Sequence, residues 1–198
     1  MTYAGFWKRF WALCLDTLVM SPLMFVVYWG HAHSRLFDVY HLVPNTIFLF
    51  IYHVHLVQKF GGTPGKRLTN LRIVRVNGDP LSYREALLRY TPDWLAVTAS
   101  AIALIIATSN LTDAQYFAAA SLTERSQLLN SVMPDWNTPL RYVLSLWTLA
   151  EVVVMLANRK RRTLHDFIAG TVVIYDPPPV PEVAPPPAPT LYAKAPLA

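Results

Sequence analysis

Four apolar stretches of near bilayer-spanning length divide this chain, and three of them are interrupted by a carboxylate: Asp16 in the first, Asp93 in the third and Glu151 in the fourth. A helix needs about 20 residues to cross the hydrocarbon. The stretches run over residues 10–29, 39–57, 86–108 and 140–157, the second diluted by Pro44, Asn45, His53 and His55. A carboxylate in hydrocarbon costs on the order of 3 kcal/mol or more at a helix centre, so each of these acids needs a partner or a task. Apolar residues make up 54% of the chain and charged ones 15%, well under the roughly 25% of an average soluble protein. The expected fold class is therefore an all-α membrane protein of four transmembrane helices. Six Trp and ten Tyr suit the interfacial belts of such a fold.

Orientation follows from Lys and Arg. The N-terminal segment, residues 59–89 and the tail beyond Ala157 hold 14 of the 17 basic residues; Arg35, Arg125 and Arg141 are the others. The positive-inside rule then places both termini in the cytoplasm, in agreement with an even number of spans. The net charge of +5 lies in these loops, which argues against nucleic acid as a partner and for a lipid bilayer. Lys8-Arg9 before the first run resembles a signal sequence, but the run is too long for a cleaved one, so it is read as a retained first helix. Cys14, the sole cysteine, excludes an intrachain disulfide and is expected as a small apolar core residue. Pro22 and Pro92 are expected to kink or break their spans.

Between the spans, residues 71–76 and 171–175 are β-rich and are expected to pair as a small two-stranded ribbon, with Asn77-Gly78-Asp79-Pro80 as a turn. Ser82/Glu85 has capping-box spacing at the start of span three. Thr112/Gln115 and Ser121/Glu124 repeat it in the outer segment 110–139, which predicts short helices there. The membrane domain occupies residues 1–176. Residues 177–198 are proline-rich with almost no charge, a composition of disordered or extended chain that offers a docking segment to a protein partner.

Counting about 1.5 Å per residue from either membrane boundary puts Asp16 and Glu151 at a similar depth, roughly 10 Å in. Arg89 and Asp93 lie four apart on one helix face. Two readings follow. In one, Asp16, Glu151 and Asp93 bind a monovalent cation or exchange protons. In the other the cluster is structural, with Arg89 neutralising Asp93 and Asp16 paired to Arg9 or Lys8. Gly61-Gly62-Thr63-Pro64-Gly65-Lys66 is one residue short of a phosphate loop, and Arg67 stands where Ser or Thr would bind Mg²⁺; a tight turn is expected instead. The pairs His31/His33 and His53/His55 are spaced two apart, on opposite helix faces, so no metal site is expected. With no nucleophile–base pattern, neither catalysis nor a cofactor is expected. Arg159-Lys160-Arg161-Arg162 reads as a topological anchor near anionic headgroups.

Three motifs resemble the RDD family of bacterial membrane proteins, named for one arginine and two aspartates. They are Ala4-Gly5-Phe6-Trp7-Lys8-Arg9 continuing to Asp16; Gly62-Thr63-Pro64-Gly65-Lys66-Arg67-Leu68 followed by Leu71-Arg72-Ile73-Val74-Arg75; and Arg161-Arg162-Thr163-Leu164-His165-Asp166-Phe167-Ile168-Ala169-Gly170. Arg9 and Asp16 match the first two signature residues, and Asp166 matches the second aspartate, with Asp93 a weaker match. The resemblance covers roughly residues 4–176 and departs from the family in its longer outer segment. It implies an integral protein of the bacterial inner membrane with a transport role, its ligands undefined. Arg9, Lys66, Arg89 and Asp166 are then expected as a structural or gating network below Asp16 and Glu151, with Asp166 meeting Arg9, Lys66 or Arg67. A small transporter or cation/proton antiporter acting as a homo-oligomer is the leading expectation. A non-transporting assembly or scaffold protein is the alternative.

Overall fold

The computed structural model describes residues 2–119 and 121–176; the proline-rich segment 177–198 lies outside them. Among the described residues, three helices are long and apolar enough to cross a membrane: α1 (Phe6–His33), α5 (Tyr83–Ser109) and α8 (Asn137–Ala157). The second expected span, 39–57, falls in a helical stretch divided into α2 (Phe37–Phe50), a π-helical turn (Ile51–His55) and α3 (Leu56–Phe60). Short helices α4 (Pro64–Leu68), α6 (Asp113–Ala118), α7 (Leu122–Ser131) and α9 (Leu164–Ala169) complete the helical part. The long helices turn large apolar side chains outward, Trp11, Leu18, Phe25, Leu95, Leu146 and Leu149 among them. In water such faces would drive association; in lipid they are the solvated surface.

Strands β1 (Leu71–Arg75) and β2 (Thr171–Tyr175) form the expected ribbon, antiparallel, with Ile73 opposite Val173. The N-terminal segment lines the free edge of β2: the Ala4 amide donates to the Val173 carbonyl at 3.0 Å, and the Tyr175 amide to that of Thr2 at 2.8 Å. On the other edge the Ile73 amide of β1 donates to the Gly61 carbonyl at 2.6 Å, so both strands have partners that an isolated two-stranded ribbon lacks. The buried cluster sits at this end of the molecule, where Ala4, Ala12, Val57, Leu71, Ile73 and Val173 meet.

Polar contacts define two ends. Tyr52 reaches Asp16 at the ribbon end, and His55 reaches the Tyr83 hydroxyl at 2.7 Å. At the far end His31 pairs with Asp38 at 3.0 Å, and Arg35 joins Asp113 at 2.8 Å and the Thr108 carbonyl. So α1, the stretch 37–60 and α5 each run from one end to the other.

Local signals shape these elements. The capping boxes at Ser82/Glu85, Thr112/Gln115 and Ser121/Glu124 open α5, α6 and α7. Pro22 and Pro92 lie inside α1 and α5 without breaking either. In α1 the Ser21 hydroxyl donates to the Leu18 carbonyl at 2.8 Å, the acceptor that Pro22 leaves without its amide. Cys14 is exposed on the outer face of α1 rather than in the core, because the core-facing position of that turn is Ala12.

Gly65 lets α4 lie against α1. A Cβ there would come within 2.6 Å of the Asp16 backbone nitrogen, and neither backbone can move aside. Gly65→Ala is therefore expected to separate α4 from α1 and destabilise the fold by about 2 kcal/mol, read as a lowered unfolding midpoint in detergent micelles. Gly5→Ala, which meets nothing within 4 Å, should leave the midpoint unchanged.

Candidate functional site

Asp16 lies in α1, but its carboxylate serves α4. Its Oδ1 accepts the Gly65 amide at 2.7 Å and the Tyr52 hydroxyl at 2.6 Å, and its Oδ2 accepts the Thr63 hydroxyl at 2.6 Å. Pro64 occupies the first turn of α4, so Gly65 is the first amide there that seeks an acceptor. A carboxylate from the neighbouring helix satisfies it, in the favourable position for an anion at a helix N-terminus. The π-helical turn brings Tyr52 into reach from the other side, a role such turns often have at functional sites. The same turn stacks His53 on the Tyr90 ring, with centroids 5.1 Å apart.

Asp166 is the deepest acid, with no side-chain surface open to solvent. It closes the capping box of α9, accepting the Thr163 amide at 3.0 Å. Its Oδ2 also takes Arg9 at 3.1 Å, while its Oδ1 takes Arg89 and, at 3.0 Å, the Thr171 hydroxyl. Arg9 further donates to the Arg161 carbonyl at 2.6 Å and to that of Ala4 at 3.3 Å. One carboxylate therefore ties together α1, α5, α9 and the start of β2. Burial alone would raise its pKa, yet the Arg89 and Arg9 guanidinium groups and the Thr163 amide hold it well below the usual carboxylate range. Removing one partner from a buried pair of this kind costs about 3–5 kcal/mol.

Lys66 projects from α4 into the same region, its ammonium 3.4 Å from the Thr63 hydroxyl. Burial, and then repulsion from Arg89, push it down to about 8 against a partial pull from Asp16.

The third group was not visible in the spacing of the acids. His165, at the start of α9, stands between two carboxylates from different long helices. Its Nδ1 lies 2.7 Å from Glu151 Oε1 of α8, and its Nε2 lies 3.1 Å from Asp93 Oδ1 of α5. The His165 amide donates to the same Glu151 oxygen at 3.0 Å. Glu151 and His165 are about 15% and 14% exposed, whereas Asp93 is 52% exposed, so the chain of three opens at Asp93. Burial would lower the imidazole, but hydrogen bonds to Asp93 and Glu151 outweigh it and raise it to about 9.

Against the sequence reading, Arg9 does reach Asp166, while Arg89 turns to Asp166 rather than to Asp93, because the buried carboxylate of α9 is the nearer acceptor. Asp16 is held by Tyr52, Thr63 and Gly65 rather than by Arg9 or Lys8: the Arg9 side chain points back toward Ala4 and Arg161. Arg67 reaches the Leu71 carbonyl at 3.5 Å instead of Asp166. The glycine-rich segment forms a turn and α4, with no helix long enough to cradle a phosphate. Tyr52, Thr63, Thr171 and His165 are the partners that sequence reasoning missed. Only Thr63 carries a local signal, as the polar residue before Pro at a helix start.

A raised histidine pKa stabilises the fold while the ring is charged in the folded state. Relative to an unfolded value of 6.5, the His165 contribution is complete below pH about 6.5 and lost as pH rises through about 9. The His165 contribution should therefore fall between pH 6.5 and 9 by roughly 2 kcal/mol, with the half-exposed Asp93 partner taken into account. It is read as the difference between wild type and His165→Gln, because Lys66, pushed down to about 8, works in the opposite direction above that pH. His165→Gln should remove that component of the slope.

The model of the RDD family matches residues 3–170 of this chain. Two proteins of Bacillus subtilis (strain 168) are similar over most of their length. Uncharacterized membrane protein YteJ is 26% identical over 177 residues, 88% of this chain and 82% of its own. Uncharacterized protein YckC is 23% identical over 173 residues, 87% of this chain and 84% of its own. No solved structure matches the chain. The three motifs around Arg9, Asp16 and Asp166, and a family match across nearly the whole described chain, lead to one assignment: this is a membrane protein of the RDD family.

Proposed function

We propose that the chain crosses the bacterial inner membrane four times, with the ribbon end and both termini in the cytoplasm, and exchanges a monovalent cation for a proton. The distribution of 14 of 17 basic residues supports the topology. So does the run of the stretch 37–60 between the same two ends as α1 and α5. The π-helical turn divides this stretch while keeping it helical from Phe37 to Phe60, and helical backbone is what hydrocarbon requires.

The observation that carries the exchange reading is the sharing of His165 between Glu151 of α8 and Asp93 of α5, with Asp93 the half-exposed member of the three. With the ring protonated, two carboxylates and one imidazolium leave a net charge of −1. With the ring neutral the charge is −2, and a cation is attracted more strongly. Proton release and cation capture are thus favourably linked at one place, and that linkage is the chemical basis of an exchanger. Asp16 and Asp166, saturated by donors of their own chain, become the frame of the exchanger. Of the three acids expected to carry the ion or proton, Asp93 and Glu151 keep that role in this reading and Asp16 gives it up. Four spans leave little room for alternating access within one chain, so a homo-oligomer is part of this reading, and no enzymatic activity is.

The same saturation of Asp16 and Asp166 favours a second reading, a membrane assembly or scaffold protein that uses its polar groups only to hold helices together. Its protein partner would dock on the proline-rich segment. Flux separates the two. In sealed vesicles holding purified protein and a pH-sensitive dye, added Na⁺, K⁺ or Li⁺ should move protons in the wild type. Asp93→Asn and His165→Gln should lower that signal at least tenfold, and deletion of residues 177–198 should spare it. A folded wild type that moves no protons with any of the three cations would leave the scaffold reading in place.

A further inference from the structure

The N-terminal part of α1 and the C-terminal part of α8 barely touch, and the space between them has a polarity gradient. At the ribbon end it opens as a cleft of about 560 Å³ whose wall includes Trp7, Lys8, Leu156, Arg161 and Tyr175. Among the described residues no acidic side chain lines this mouth. Further along the helices a second cleft of about 180 Å³ shares Phe6 and Val152 with the first and continues over Phe10, Leu13 and Met155. Arg9 and Glu151 border the inner wall, and both are already taken, by Asp166 and His165. The groove is therefore basic at its mouth and apolar along its floor.

The fold holds the two basic residues at the mouth, Lys8 by its ammonium and Arg161 by its backbone. The Lys8 ammonium sits 2.9 Å above the Tyr175 ring centroid, yet the residue stays exposed. Arg161 adopts a left-handed backbone conformation with φ of 52°, uncommon outside glycine. The fold imposes it from both sides: the Arg161 amide donates to the Asn158 carbonyl at 2.9 Å, and its own carbonyl accepts Arg9 at 2.6 Å. A strained residue kept by its surroundings at the rim of a cleft is a feature of ligand-holding sites. Arg159 and Lys160, both exposed, add charge next to it.

We infer that this groove is a binding site for one anionic phospholipid, with its phosphate between Lys8 and Arg161 and an acyl chain along Phe10, Leu13 and Met155. The inference rests on the membrane topology proposed above and not on the exchange activity. Charge complementarity selects the occupant: a phosphate matches a mouth with two cations and, among the described residues, no carboxylate, and a hydrocarbon chain matches the floor beyond. A second copy of this chain would have to bring an acid to the mouth, and α1 and α8 turn aromatic and aliphatic side chains outward here.

Trp7, exposed in the mouth, is the reporter. The protein would be reconstituted in phosphatidylcholine vesicles containing brominated phosphatidylglycerol or, in parallel, brominated phosphatidylcholine. The Trp7 signal is the difference between wild type and Trp7→Phe. Brominated phosphatidylglycerol should quench it at about three- to tenfold lower mole fraction, the preference expected of one or two basic groups near a headgroup. Lys8→Gln combined with Arg161→Asn, which keeps a residue tolerant of the left-handed region, should equalise the two lipids while both still quench. Equal quenching in the wild type, or a preference unchanged in the double variant, overturns the site. Absence of quenching by either lipid, together with disulfide-linked dimers through Cys14, also overturns it by placing a second copy in the groove.

Discussion

A carboxylate with no contact to solvent has to be met by cations, and the arrangement around Asp166 carries the rest of this structure. Arg9 arrives from the start of α1 and Arg89 from the start of α5, while Thr163 and Thr171 hold the acid from its own segment. Each of these elements would otherwise be free to slide against its neighbours, since lipid offers helices no hydrophobic incentive to associate. The node also sets the place of β2, and through it the ribbon and the N-terminal segment that lines its edge. Asp16 repeats the device one layer away. There a carboxylate of a long helix completes the N-terminus of a short one, and Gly65 allows the close approach that makes the bond possible.

These fixed charges contrast with the chain Glu151–His165–Asp93. In the node, two guanidinium groups face an acid held well below the usual carboxylate range. In the chain, the central group is an imidazole, the one side chain suited to gain or lose a proton in that range once its environment is adjusted. It links α8 to α5 through α9, so a change in its charge is felt by two long helices at once. Separation of a rigid frame from a titratable bridge is the physical basis of the exchange proposed for this protein.

Much of this was legible in the chain, and for identifiable reasons. The long apolar runs 10–29, 86–108 and 140–157, the capping boxes at Ser82, Thr112 and Ser121, and the β-branched segment Thr171-Val172-Val173-Ile174-Tyr175 are local signals, and each produced the expected element. The diluted run 39–57 is instead divided by a π-helical turn. The meeting of Arg9 with Asp166 followed from the family motifs. Partner choice among the other charges did not, because depth along a helix says nothing about which neighbour lies across. Arg89 and Asp93 share a helix face, but α9 inserts Asp166 and His165 between alternatives that sequence spacing left open. Tyr52 depended on a π-helical turn, which has no compositional mark. His165 sits in a recognised motif, yet its role as a bridge required the positions of two other helices.

The central claim is that Arg89 and Asp166 act on one another across the fold, and a double-mutant cycle tests it most directly. Arg89→Gln, Asp166→Asn and the double variant would be compared with wild type by reversible unfolding in lipid bilayers. Contact in a buried network predicts a coupling energy of about 2 kcal/mol, so that the double variant is markedly more stable than the sum of the two single losses. Additive losses within about 0.5 kcal/mol would show that the two residues do not meet, and the node on which the account depends would be contradicted.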